Sequence, residues 1–354
     1  MNKIYYAIFI LALLLALSES ADSKTIKSNS KLIEMVRKEI IDKAMAYLPK
    51  REDYNILQML NQFKKAKEEF SLNDAESAYF VYKWISNNIR GNLDNEEEDI
   101  AKVYESGIGN VIGIASLFNR MCSFLNLESG SIPGFIKYLN ITEENEITEY
   151  IEFTWNYFVI NGENYLINVA IGCDFERLEY NSIYKDRFFG MDPEDFIRFH
   201  YPKESKWQLL PEPITFEKFL SKAIIFPFFY WFDIKSISPD TNRLKESGTI
   251  TITYDESDPI IDIETLAQNI ISQNVEKINE YEISNGKVEV KYDLNNINAN
   301  VIIISIKTKN LDDYLPILFY IVDYNTKKSS LNLRRISTSN SKIKNFNDFL
   351  QKSF

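Results

Sequence analysis

Apolar residues recur every three or four positions from Lys31 to about Phe70, which predicts helices with one buried stripe. In KLIEMVRKEIIDKAMAYL the stripe is Leu32, Met35, Val36, Ile40 and Ile41. DYNILQMLNQFKKAKEEF repeats the habit with a polar outer face. NDAESAYFVYKWISNNI opens on Asn73 with Glu76 three residues later. At that spacing each side chain reaches the other's backbone N–H at a helix start. Tyr79, Val81, Tyr82, Ile85 and Ile89 then form a broad apolar face, and Asn92 to Asp99 reads as a solvated acidic loop. SGIGNVIGIASLFNRMC, from Ser106 to Cys122, is a Gly-rich turn followed by a helix. Asn110 is placed to cap that helix, and Gly113 allows a close neighbour.

The period then changes from helical to alternating. FTWNYFVINGENYLINVAIG is a hairpin pattern about the turn Asn161-Gly162. A two-residue turn pairs Ile160 with Glu163, Trp155 with Asn168, and Phe153 with Ala170. Residues 153, 155 and 168 then share one face. FFGMDPEDFIRFHYPKESKWQLL reads as a loop, a short helix begun near Pro193 and closed off by Pro202, and a second loop. Beyond Pro227, the runs GTITITY, KVEVKYDL, NVIIISIKT and LPILFYIVDY predict strands of a β-sandwich, with IETLAQNIISQNVEKI (263–278) as a helix inside it.

The expected organisation is a signal peptide at 1–20, a helical lead-in at 21–72, an α+β domain at 73–225, a sandwich at 226–330 and a polar tail at 331–354. The leader is read from Lys3, an apolar run of roughly 14 residues and small residues before Ala21. An uncleaved signal anchor is the alternative reading of the same run. Removal of the leader predicts a secreted chain with no stable membrane span, and makes Asn140-Ile141-Thr142 a glycosylation sequon.

Composition narrows the chemistry. The net charge of −11 argues against nucleic acid and anionic membrane surfaces as partners. The chain has 1 histidine, His200, and 2 cysteines, Cys122 and Cys173. No metal or cofactor is therefore expected, and any histidine-dependent triad would have to use His200. In an oxidising compartment the cysteines either pair or lie apart as buried thiols. Trp155, Trp207, Trp231 and the aromatic run at 226–232 read as core and domain interface, with a ligand groove as the alternative.

VYKWISNNI, SGIGNVIGIASLFNRMC, the hairpin and the FFGMDPEDFIRFHYP segment, in this order over roughly residues 75–225, resemble the transglutaminase-like superfamily, in its kyphoscoliosis-peptidase-like branch. The resemblance implies an α+β chain: a transglutaminase/papain-like cysteine-protease fold followed by an immunoglobulin-like β-sandwich. In that family a cysteine opens the helix, a histidine stands on the first hairpin strand and an aspartate on the second. A helix N-terminus favours thiolate, the imidazole takes the proton and the carboxylate orients the imidazole.

Carried over residue by residue, the cysteine position falls on Val111, with Gly113 and Ser116-Leu117-Phe118 matching the family pattern. The histidine position, two before Trp155, falls on Phe153, and the aspartate position falls on Asn168. Shifting by one offers Asn110, Ile112, Glu152 or Thr154, none of them Cys or His. The expected protein is thus a secreted pseudoenzyme that binds a protein or peptide or supports an extracellular assembly. The alternative is an active cysteine enzyme with a relocated nucleophile, Cys122 or Cys173, and His200 as base. Cys122 lies about three helical turns past Val111, some 16 Å along the axis, which weighs against it.

Overall fold

The computed structural model describes residues 31–92, 95–141, 147–173, 186, 188–225, 229, 232, 234–255, 259–269, 274–295, 297–309 and 314–322. The leader, the tail, Trp231, Thr142 and the side chain of Asn140 lie outside the described residues.

Four helices begin the chain: α1 (Lys31–Glu34), α2 (Lys38–Tyr47), α3 (Ile56–Glu69) and α4 (Asp74–Asn88). Leu32, Val36 and Ile41 are buried, while Met35 is turned out to 50% exposure. At the head of α4, Glu76 N–H donates to Asn73 Oδ1 at 2.9 Å and Asn73 N–H donates to Glu76 Oε2 at 3.0 Å. Glu76 is fully buried and also carries Arg37, whose Nε and Nη2 donate to it at 2.5 and 2.7 Å. A short parallel pair, β1 (Arg90–Gly91) and β2 (Ile108–Gly109), brackets α5 (Ile100–Ser106). That helix has no counterpart in the periodicity read above. Gly107 closes it at φ 69°, the left-handed region that glycine enters without steric cost. The chain then enters α6 (Val111–Phe124).

An antiparallel sheet follows, built from β3 (Ser129–Ile141), β4 (Ile147–Ile160), β5 (Glu163–Ile167), β6 (Phe189–Met191) and β7 (His200–Pro202), in the order β6-β5-β4-β3-β7. The turn residues Asn161 and Gly162 both have positive φ, 53° and 81°, and Ile160 pairs with Glu163 as the sequence predicts. Two expectations fail here. The ladder stops at Asn156–Ile167, so Trp155–Asn168 and Phe153–Ala170 are not ladder pairs. Asn168 leaves the sheet because its N–H goes to Phe188 O at 3.1 Å and its side chain caps a one-turn helix, α7 (Val169–Gly172). Nor does a helix run up to Pro202. The helix α8 (Pro193–Phe196) ends after one turn, and His200–Pro202 pairs with β3 as an edge strand, where a proline is tolerated.

After α9 (Phe216–Ser221) the chain enters an all-β region through β8 (Ile224–Ile225). Then come β9 (Ile234–Ser238), β10 (Arg243–Leu244), β11 (Ser247–Tyr254), β12 (Ile260–Gln268), β13 (Val275–Ile278), β14 (Tyr281–Ser284), β15 (Lys287–Asp293), β16 (Val301–Thr308) and β17 (Leu315–Val322). They form one sheet ordered β10-β17-β16-β12-β13, with β8 also on β17, and a second ordered β14-β15-β11-β9. The helix expected across 263–278 is replaced by β12 and β13. Ile263, Thr265 and Ala267 alternate inward, and β12 pairs along its length with β16. A period of two is decisive where a long strand partner is available. Phe229 and Phe232 are buried in the shared core.

Cys122 and Cys173 are not joined by a disulfide and both are buried, so the reading as separate thiols holds. Among the described residues no helix is long and apolar enough to cross a membrane.

Candidate functional site

Alternation along β4 gives its two faces different neighbours. Asn156 and Phe158 face α6: Asn156 Nδ2 donates to Ala115 O and Asn119 Oδ1, both at 2.9 Å, and the Phe158 and Phe118 rings lie 6.4 Å apart. Trp155 takes the other face, against Phe196 at 5.8 Å and His200 at 5.1 Å between ring centroids. Gly134 on β3 makes this possible, since a Cβ there would stand 2.2 Å from the Trp155 ring. Phe153, two residues before Trp155 and 6% exposed, belongs to the same face.

Val111 is the first residue of α6, 9% exposed. Asn110 caps the helix by accepting from Gly113 N–H at 2.7 Å. A helix start carries partial positive charge from its free N–H groups. Here the side chain in that field is apolar. On either side, Ile108 and Ile112 are exposed, at 36% and 45%. Ala115 and Asn119 of α6 meet Asn156 on the face of β4 opposite to that of Phe153 and Trp155.

The third aligned position is where the structure adds most. Asn168 is fully buried. Its Oδ1 accepts from Ile171 N–H at 3.0 Å, which leaves Nδ2 to donate to His200 Nε2 at 2.7 Å. His200, also fully buried, turns Nδ1 toward Phe196 O at 3.2 Å. A carbonyl oxygen only accepts, so Nδ1 carries the proton and Nε2 is the acceptor. The Phe196 ring stacks on the imidazole at 3.8 Å, and Phe199 meets it edge-on at 5.1 Å. Burial pushes the imidazole down to about 3, against a small upward pull from the Phe196 carbonyl. The ring is thus neutral near pH 7, and its basic lone pair already accepts a hydrogen bond.

The sequence offered His200 only as the histidine a triad would have to use, and gave no direct sign of its contact with Asn168. The usable signal was the short polar-apolar run ending at Pro202, which can return to a sheet edge beside the hairpin. Cys122 is near the far end of α6, and burial pushes its thiol well above the usual range. Cys173 closes α7 as its C-terminal cap, and its carbonyl accepts from Gly91 N–H at 2.9 Å. Trp207 stacks on Tyr157 at 4.3 Å, a packing contact. Among the described residues no three His, Cys, Asp or Glu side chains gather as a metal site.

No protein-family model matches the chain. It is similar to kyphoscoliosis peptidase of Mus musculus, 24% identical over 201 residues, covering 53% of this chain and 30% of that protein. It is 25% identical over 194 residues to the Lim and transglutaminase domain protein ltd-1 of Caenorhabditis elegans, covering 49% of this chain and 26% of that one. Hillarin of Drosophila melanogaster is 27% identical over 177 residues, 44% of this chain and 21% of that one. A solved structure, titled as the crystal structure of a TGase, overlaps with a TM-score of 0.26 and 10% identity over 52% of this chain and 42% of that chain, a likeness too slight to carry any inference. The chain is a relative of the transglutaminase-like proteins. Within them its similarity is to the kyphoscoliosis-peptidase-like branch. It spans about a third or less of the length of these curated relatives.

Proposed function

We propose that this protein is a secreted pseudoenzyme of the transglutaminase-like superfamily that binds a protein or peptide partner, or supports an extracellular assembly. The sandwich behind its first domain is read as immunoglobulin-like. The observation that carries the proposal is the state of the single imidazole. His200 is buried, neutral and committed to Asn168 and Phe196 O, while the residues aligned with the nucleophile and base are Val111 and Phe153. Acyl transfer needs a polarised nucleophile beside a free base. Replacing ionic groups by apolar ones of similar volume is often neutral or stabilising, which makes such a loss easy to keep. The exposed pair Ile108 and Ile112 beside Val111 offers a partner apolar contact. Secretion is supported by the apolar run near the N-terminus.

The competing reading relocates the nucleophile to Cys122 or Cys173. Against it stands the burial of both thiols. One experiment separates the two. The purified chain is treated with a thiol-reactive probe under native conditions, then assayed with glutamine-donor and peptide substrates. The pseudoenzyme reading expects no activated thiol and no turnover. A robust rate abolished by Cys173→Ala or Cys122→Ala overturns it. Binding is tested by whether Ile112→Asp releases a partner that the wild-type chain retains.

A further inference from the structure

The segment that carries His200 is fastened from the second, all-β region. Arg198, two residues before His200, makes a two-pronged bond to Asp240: Nη1 to Oδ1 at 3.1 Å and Nη2 to Oδ2 at 3.2 Å. Lys222, just past α9, adds Nζ to Oδ2 at 2.8 Å. All three side chains are 20–28% exposed, so the cluster is shielded without being sealed. Around it the backbone runs on continuously. Asn242 N–H donates to Ser221 O and Ile321 N–H to Asn242 O, both at 2.8 Å, and the Tyr320 hydroxyl donates to Pro239 O at 3.2 Å. From the other side, Lys137 N–H donates to Phe199 O at 3.0 Å, and Lys137 Nζ donates to Lys222 O at 2.7 Å and Ala223 O at 3.3 Å.

The loop holding Asp240 follows β9 in one sheet of the all-β region, while Arg198 and His200 belong to the edge of the first sheet. We infer that Asp240 is a positioning residue: by gripping Arg198 and Lys222 it holds the Phe196–Pro202 segment down, and so keeps His200 against Asn168. A fork-to-carboxylate bond fixes direction as well as distance, which suits this task better than a single ammonium contact would. The edge strand β7 is only three residues long and makes few ladder bonds of its own. Without an outside anchor such a segment opens locally. The inference does not depend on whether the site is catalytically silent.

The full chain provides its own reporter, because His200 is its 1 histidine and gives one imidazole signal. In Asp240→Asn, the amides bonded across β7, those of Lys137 and Lys203, are expected to exchange about tenfold faster or more, while amides within α6 keep their wild-type rates. The imidazole signal should leave its buried position and titrate closer to the free-histidine range. Asp240→Glu, which keeps the carboxylate, should restore most of both effects, and Arg198→Gln should reproduce the Asparagine variant's pattern from the other side. Unchanged β7 exchange overturns the inference. So does faster β7 exchange with an unmoved imidazole, and so does uniform acceleration throughout the chain, which would mean that Asp240 contributes only global stability.

Discussion

Two polar clusters in this protein sit in opposite surroundings. In the first region Asn168 and His200 meet with no solvent exposure, both neutral, each hydrogen bond satisfied by one partner. In the all-β region Asp262 lies near the surface. Its Oδ2 accepts from the Tyr314 hydroxyl, and its Oδ1 accepts from the Tyr281 hydroxyl at 2.8 Å and from Ile263 N–H at 2.8 Å. Tyr281 is 39% exposed. The bond from Tyr314, then that from Tyr281, holds the Asp262 carboxyl below its usual range despite some burial. A charge in a low-dielectric interior is costly, whereas water screens one at the surface. The deep cluster is therefore the one that cannot change its protonation without disturbing the fold. Depth by itself does not make a reactive centre.

The sharpest break of this comparison is acid. His200 titrates at 6.5 in the unfolded chain and is pushed down to about 3 in the folded one. The unfolded state thus binds the proton first, so stability is full above about pH 6.5 and falls as pH drops toward 3. The slope from this group is about 1.4 kcal/mol per pH unit, and its total is about 5 kcal/mol. Urea melts at pH 7 and pH 4 should show about two-thirds of this loss. In His200→Gln, which keeps an acceptor for Asn168, the part due to imidazole should vanish. An imidazole signal titrating near 6.5 in the folded wild type would sink the description of the pair as enclosed.

Next in size is Asn168→Ala. It removes the cap of α7, worth about 1 kcal/mol, and leaves His200 Nε2 buried with no donor, worth about 1–3 kcal/mol. A total near 3 kcal/mol is expected from equilibrium unfolding. Asn168→Asp should instead raise the His200 titration, because a carboxylate favours the imidazolium, and the single imidazole signal reports it directly.

How far such features were legible depended on whether the cause was local. The α4 cap could be read because Asn73 and Glu76 are three residues apart, and the hairpin register because Asn161-Gly162 fixes its own turn type. The boundary of β5 could not. Asn168 continues the alternation in sequence, but its N–H is claimed by Phe188, twenty residues on. The 263–278 segment was misread for a related reason: its apolar spacing suits a helix as well as a strand, and the choice was made by β16, more than thirty residues away. The Asn168–His200 contact belongs to the same class. Two residues 32 apart meet because β7 returns to the sheet edge, and nothing within either local segment specifies the other.

The smallest effect belongs to the open cluster. Tyr314→Phe deletes one hydrogen bond to Asp262 and leaves that carboxylate with Tyr281, Ile263 N–H and water. An exposed acceptor that loses one donor is re-solvated, so the cost at pH 7 should stay within about 1 kcal/mol. The acid dependence has the same sign as that of His200 but lies lower. A carboxyl held below 3.8 contributes stability above that pH and loses it as pH falls through its folded value, so Tyr314→Phe should flatten only the most acidic part of the curve. The stability of this variant is to be measured beside Asn168→Ala under one set of conditions. If Tyr314→Phe proves the more damaging of the two, enclosure is not what sets the energetic weight of these clusters, and the contrast between them fails.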